Sequence, residues 1–537
     1  MKRFDFEKYS LNLKEESFGI EINGVEIFDF SVRTPVNSDK PDKDSEIIGC
    51  SVKGSDKSVS AVWTTVSSNW EKKEYILEAD KNVFRYYVRV YGKGAVERVI
   101  YFGGGKNLYE AGGYYTPVAP HGGVENRHFT MSESFSISLG YMVPPPLCYS
   151  FSTEGLGRKI GISLCAKPGE YNFDKFDYEF HSDKYDFSFE TDYYGYQRAD
   201  GMFETAHIMG VFGESDIEIL KNYRYFSFEY GYARQRSEKK YDWWNGPLFC
   251  GWGEQCWLNG QDPFSLATQS EYTKMCDKLD ERGIYTTAVI IDDKWQRFYG
   301  EALPDTEKWP DMRAFTDEQH KKGRRVMLWF KLWNGEGLTD GEQIQCICRP
   351  VGADPTSERY VKRIEYTMRK LLSDEDGCFN CDGFKIDFAN CMPLGRGLST
   401  AEKGIYGIEL LKRMFSLIYK YAKAVKPDVL INNSCCHPYF AEVTDQVRLH
   451  DYYLGVRNAE TTLKNRSVIY KAIMNEASVD TDGPNCQTKR DTMRYMEYAS
   501  KIGVLDLYFI TNDIFDESDW GRINELFEKH KRPDSSI

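Results

Sequence analysis

The stretch "DGFKIDFANC", residues 382–391, decides how this chain is read. Its "GFKIDF" segment alternates, and in a strand residues i and i+2 share a face. Lys385 and Asp387 are therefore expected on one face, with Phe384, Ile386 and Phe388 on the other. A lysine and an aspartate on one face of an apolar strand form either a structural ion pair or part of a reactive site. The flanking sequence distinguishes the two.

From about residue 240 the chain alternates strand with helix. Expected strands are "PLFCGW" (247–252), "TTAVIIDD" (286–293), "RVMLWFKLW" (325–333), "GFKIDF" (383–388), "VLINNS" (429–434), "QVRLHD" (446–451), a strand near "ASVDTD" (477–482), and "VLDLYFITND" (504–513). Between them lie helical patterns. Tyr272, Met275, Cys276 and Leu279 make one apolar stripe that Gly283 can end, and Val361, Ile364, Met368, Leu371 and Leu372 make another. "STAE" (399–402) predicts a capping box before a further long helix. Eight such units predict a (β/α)₈ barrel.

Upstream, "SVSAVWTTVSSNWEKKEYILEAD" and "VFRYYVRVYGKGAVERVIYFGGG" are rich in β-branched and aromatic residues. Many short strands predict an antiparallel β-sandwich. "GGGK" (103–106) lacks the spacing of a phosphate loop and is expected to be a turn. The predicted organisation is a sandwich over 1–215, a linker over 216–239, and a barrel over 240–537.

In such a barrel, function lies at the C-terminal ends of the strands. Asp292 and Asp293 end the second expected strand, and Trp329, Lys331 and Trp333 lie late in the third. Lys385 and Asp387 close the fourth, Cys435 and Cys436 follow the fifth, and Arg448 and Asp451 end the sixth. A core needs none of these charges. Trp252 and Trp295 fall at the same rim, and nine of the eleven tryptophans lie after residue 240.

Composition narrows the partners. A formal charge of −13 over 537 residues argues against nucleic acid or an anionic membrane. The N-terminus lacks a signal-peptide core and no run reaches membrane-span length, so a cytoplasmic protein with reduced thiols is expected. Cys346, Cys348, Cys378 and Cys381 form two close pairs whose spacing is only loosely zinc-like, and unmodified thiols are the favoured reading. No cofactor is expected.

Carboxylates across a barrel mouth with aromatic walls suit glycoside hydrolysis, in which one acts as nucleophile and the other as acid/base. Asp387 fits the nucleophile, with Lys385 expected to keep it ionised, and Asp451 fits the acid/base. In order on successive strands, "IIDDKW", "MLWF", "GFKIDF" and "VRLHD" resemble the α-galactosidase group of glycoside hydrolases, clan D, and most closely family 36. The resemblance covers nearly the whole chain. It implies that Asp292 and Asp293 bind the hydroxyls at carbons four and six of galactose, and that Trp329, Lys385 and Arg448 line the site. It also implies a retaining, exo-acting α-glycosidase acting on an oligosaccharide or glycoside.

Departures from that pattern weigh on the galactose assignment. Arg448 and Asp451 are separated by two residues where the family commonly has three. "NSCCHPYF" stands where a Gly-rich loop contacts the second hydroxyl, which makes Cys436 a candidate contact. Lys331 stands where the family commonly has glutamate, and a salt bridge to Glu336 is its bland role. The sequence also lacks the family's usual β-rich C-terminal domain after the last expected strand. Two alternatives stay open: a carbohydrate-binding protein of the same fold without catalysis, and an α-galactosyl transferase of the raffinose-synthase type.

Overall fold

The computed structural model describes residues 2–531 apart from 56, 109–113, 116–127, 130–133, 139–146, 154, 182, 185, 237–238, 450–458, 484–487 and 512–513. Antiparallel strands fill the N-terminal part. Two of them, Val83–Asn107 and Asp186–Glu204, run long and pair antiparallel with each other, with breaks in register between Phe187 and Phe189 and between Asp192 and Gln197. Phe18, Phe28, Phe30, Phe84, Phe102 and Phe187 interlock between the layers with ring centroids 4.7–5.9 Å apart. Gly103–Gly105, expected as a turn, lie inside the long strand, and the left-handed backbone of Gly104 (φ 85°) is absorbed there as an irregularity. The expected linker stretch 216–239 carries the helix Asp216–Glu229, whose Ile219, Leu220, Tyr223 and Phe226 are buried.

The second part is a parallel barrel. Its strands are β1 (Leu248–Cys250), β2 (Ala288–Ile291), β3 (Arg325–Lys331), β4 (Gly383–Asp387), β5 (Leu430–Asn433), β6 (Gln446–Arg448), β7 (Ser478–Asp480) and β8 (Asp506–Leu507). They pair in the order β7-β6-β5-β4-β3-β2-β1-β8. The ring closes through one parallel bridge between Asp480 and Val504, where Val504 N–H donates to Val479 O at 2.8 Å. The eighth strand is much shorter than the expected 504–513.

Helices follow seven of the strands: α1 (Gln269–Glu281), α2 (Met312–Lys321), α3 (Glu358–Leu372), α4 (Gly407–Val425), α5 (Ala459–Ile473), α6 (Lys489–Ala499) and α7 (Glu517–Lys529). In α1 the predicted stripe of Tyr272, Met275, Cys276 and Leu279 is buried, and Thr268 caps its start. In α3 Tyr360 is buried while Val361 is only half-buried. Only a 3₁₀ turn, Pro438–Val443, follows β5, because the segment 434–445 is too short for a helix and two connections. The predicted capping box at 399–402 does not form. Helix α4 starts later, after Tyr406, and Glu402 N–H instead donates to Thr356 Oγ1 at 3.0 Å.

The two parts meet on the β4 side of the barrel. Tyr196 stacks on Tyr406 at 4.4 Å and its hydroxyl donates to Gly395 O at 2.7 Å. Ile408 N–H donates to Phe173 O at 3.0 Å, which ties the start of α4 to the sandwich. Among the described residues no helix is long and apolar enough to cross a membrane.

Candidate active site

Strand β4 alternates as its sequence requires. Phe384 and Ile386 are buried in the apolar core, while Lys385 and Asp387 turn into the barrel. Parallel pairing sets Trp329 opposite Lys385 and Lys331 opposite Asp387. Alternation stops at Phe388, whose backbone is left-handed (φ 61°, ψ 31°). Its ring therefore lies 5.9 Å from that of Trp329, on the site side, and not on the opposite face as the strand period predicts. A bulky residue held in this region is strained backbone.

Asp387 is gripped by three donors. Its Oδ1 accepts from Phe388 N–H at 2.9 Å and from Arg448 Nη2 at 3.0 Å. Its Oδ2 accepts from Trp329 Nε1 at 3.2 Å. A carboxylate has about four acceptor positions, so one on Oδ2 is left over. The Asp387 side chain keeps 11% exposure, whereas Arg448 has none.

Lys385 does not pair with Asp387, contrary to expectation. Its Nζ donates to Asp292 Oδ2 at 3.0 Å and to Tyr508 Oη at 3.1 Å. Tyr508 donates in turn to Asp482 Oδ1 at 2.5 Å, and Asp482 Oδ2 accepts from Arg448 Nη1 at 2.9 Å. A continuous circuit therefore runs Asp292–Lys385–Tyr508–Asp482–Arg448–Asp387 through β2, β4, β6 and the ends of β7 and β8. Gly483 makes room for it: a Cβ there would lie 1.7 Å from Tyr508 Cδ2.

The electrostatics follow from burial and pairing. Desolvation alone would lower the Lys385 pKa, but Asp292 and Asp482 outweigh it and hold it well above the usual lysine range. Burial pushes Asp482 upward, yet Arg448 and Lys385 bring it below the usual carboxylate value. Asp480, buried beside charged Asp482, is pushed up to about 6. Asp506, buried and near Asp480, is raised well above its ordinary value, and among the described residues neither of its carboxyl oxygens has a hydrogen-bond partner.

The adjacent pair at the end of β2 splits into two environments. Asp292 accepts from Asp293 N–H at 2.8 Å, Cys250 Sγ at 3.1 Å and Lys385, and is nearly inaccessible. Asp293 accepts from Tyr299 Oη at 2.8 Å, and burial pushes it up to about 6. Lys331 does not form the expected bridge to Glu336, which Lys294 Nζ occupies at 3.3 Å. Its Nζ lies instead over the rings of Tyr299 and Phe388, 4.4 and 4.5 Å from their centroids.

The other candidates fall into place around this group. Trp295 and Trp333 brace the rim, donating to Trp329 O at 2.8 Å and Ala389 O at 3.2 Å. Trp252 is half-buried just after β1 and packs 5.9 Å from Phe264. Cys436 is wholly buried and makes no hydrogen bond among the described residues. Asp451 and His450 lie outside the described residues. Among the described residues no three or more His, Cys, Asp or Glu side chains form a metal-holding group, so Cys346, Cys348, Cys378 and Cys381 do not converge. Asp482, Tyr508 and Tyr299 were not anticipated. Asp480 and Asp482 repeat the i, i+2 spacing of Lys385 and Asp387, a signal that marks Asp482.

No family model matches the sequence, and no curated protein matches it. Solved structures do. An α-N-acetylgalactosaminidase from Bifidobacterium bifidum, in complex with GalNAc, aligns with TM-score 0.64 at 12% identity over 99% of this chain and 93% of its own. A family 31 sulfoquinovosidase from E. rectale aligns with TM-score 0.64 at 11% identity, covering 97% of this chain and 82% of its own. An α-galactosidase from Lactobacillus brevis aligns with TM-score 0.58 at 11% identity, covering 98% and 83%. At such identities the likeness is one of fold, and the chain has the fold of clan D α-galactosidase-like proteins, a (β/α)₈ barrel behind an antiparallel β-sandwich.

Proposed function

We propose that the protein is a retaining, exo-acting α-glycosidase, α-galactosidase-like, with Asp387 as nucleophile and Asp451 as acid/base. The observation that carries the reading is the environment of Asp387. A nucleophilic carboxylate must be ionised, fixed in orientation and open at one lone pair. Arg448, Trp329 and the Phe388 amide supply the first two, and the unfilled position on Oδ2 supplies the third. The Arg448 charge further stabilises the carboxylate when it leaves as the glycosyl-enzyme collapses.

In this reading the anomeric carbon is attacked by Asp387 Oδ2 while Asp451 protonates the leaving oxygen. Water activated by Asp451 then releases the sugar with its configuration retained. Asp293 binds sugar hydroxyls, while Asp292 acts one step removed by fixing Lys385. The catalytic unit spans 240–537 behind a sandwich of 1–215. The similar folds whose structures hold sugars, GalNAc in one case, support a pyranoside as substrate.

A 2-deoxy-2-fluoro α-glycosyl fluoride tests the proposal. The enzyme should be inactivated with time, and the adduct should map to the peptide containing "KIDF" (385–388). An adduct elsewhere, or product of inverted configuration, rules the assignment out.

A further inference from the structure

We infer that the site selects glycosides bearing an anionic substituent, a carboxylate or a sulfate, through Lys331; this deepens the glycosidase reading above and rests on it. Lys331 closes β3 in register with Asp387, the last residue of β4, so its side chain starts beside the reacting carboxylate. Two aromatic faces hold its Nζ, that of Tyr299 at 4.4 Å and that of Phe388 at 4.5 Å. Ring faces attract a cation through their quadrupole without cancelling its net charge. Among the described residues Lys331 has no ion-pair partner.

The nearby carboxylates are engaged elsewhere. Glu336 accepts from Lys294 Nζ at 3.3 Å and from Tyr299 N–H at 3.1 Å. Asp293 feels the charge of Lys331 but accepts its hydrogen bond from the Tyr299 hydroxyl. Lys331 also lines a cavity of about 340 Å³ together with Trp333, Asn334, Gln343 and Cys391. Among the described residues the structure thus offers a cation without an ion-pair partner, lying over two ring faces, lining a cavity and in strand register with the proposed nucleophile. A group that supplies the missing negative charge gains an interaction there that a neutral hydroxyl does not, and this difference is what discriminates substrates.

The test measures binding and turnover separately. Galactose, galacturonate and galactose 6-sulfate are titrated by calorimetry against wild type, Lys331→Met and Lys331→Arg, and kcat/KM is measured on the matching nitrophenyl α-glycosides. Wild type should bind at least one anionic sugar tenfold or more tightly than galactose. Lys331→Met should bring the two within threefold, and Lys331→Arg should keep the preference. Preference for the uronate alone identifies a carboxylate, and preference for the sulfated sugar alone identifies a sulfate. The inference is overturned if neither anion binds better than galactose, or if Lys331→Met keeps the preference. A binding preference without hydrolysis of any glycoside would sink the glycosidase reading and, with it, selection of substrates, leaving Lys331 an anion-binding contact only. Hydrolysis without a preference would keep the glycosidase reading and overturn the inference.

Discussion

Arg448 Nη2 lies 3.0 Å from Asp387 Oδ1, joining the ends of two strands that are not adjacent in the barrel. The other end of the same guanidinium holds Asp482 at 2.9 Å. One buried cation therefore bridges two buried carboxylates, and Arg448→Met takes from Asp387 its ion-pair partner among the described residues and from Asp482 one of two, Lys385 remaining at 4.0 Å. Breaking a buried pair costs about 3–5 kcal/mol, so its urea midpoint should drop sharply. Arg448→Lys keeps the charge but lacks the two-ended fork. It should fold better than Arg448→Met yet lose at least about tenfold in kcat/KM. Equal stability of wild type and Arg448→Met would contradict the pairing.

Lys385 holds the other half of the circuit. Lys385→Met removes the partner of Asp292 and a donor to Tyr508, both in a site closed to solvent. Unfolding free energy should fall by about 3–5 kcal/mol. The double variant Lys385→Met/Asp292→Asn should recover part of it, because no unpaired carboxylate remains. If the double variant is as unstable as the sum of the single changes, Lys385 and Asp292 are not coupled.

Asp293 predicts a pH dependence. Burial raises its pKa to about 6 in the native protein from an ordinary value of 3.8. The native state then binds more protons than the unfolded chain between these values, so this contribution to stability declines as pH rises through the window. The total is about 3 kcal/mol. Relative to wild type, Asp293→Asn should gain about that much stability between pH 4 and pH 7. Parallel urea titrations of the two proteins at both pH values decide it, and an unchanged difference refutes the assignment.

Asp451 is tested by leaving-group chemistry. A general acid matters most when the departing oxygen is basic, so Asp451→Ala should lose about 10²–10⁴-fold on oligosaccharides and far less on nitrophenyl glycosides. Azide should restore part of the aryl activity by attacking the glycosyl-enzyme without a base. Equal losses on both substrates with no azide rescue would assign the acid/base elsewhere.

Much of this protein is legible along the chain. Period-two alternation in "GFKIDF" and the apolar stripe of α1 are local consequences of backbone geometry, so the strands, the helices and the barrel rim can be read from order alone. The same logic places Lys385, Asp387, Asp292, Asp293 and Arg448 at one end of the barrel. It fails where the backbone leaves its period, as at Phe388, whose left-handed conformation brings the ring into the site.

Partner choice was decided by the tertiary structure. Adjacency in sequence suggests Lys385 for Asp387 and Glu336 for Lys331, but a side chain bonds to what the closed barrel sets opposite it. Curvature carries Lys385 across to Asp292 and Tyr508, and Arg448 to Asp387 and Asp482. Asp482 and Tyr508 enter the circuit from strands whose sequence distance from β4 is large, and only ring closure brings them within 3.1 Å of their partners. Sequence determined which residues face the barrel mouth, because facing is set by neighbours along one strand. The fold determined which of them are paired and that Lys331, among the described residues, has no ion-pair partner, because pairing is set by distances across the ring.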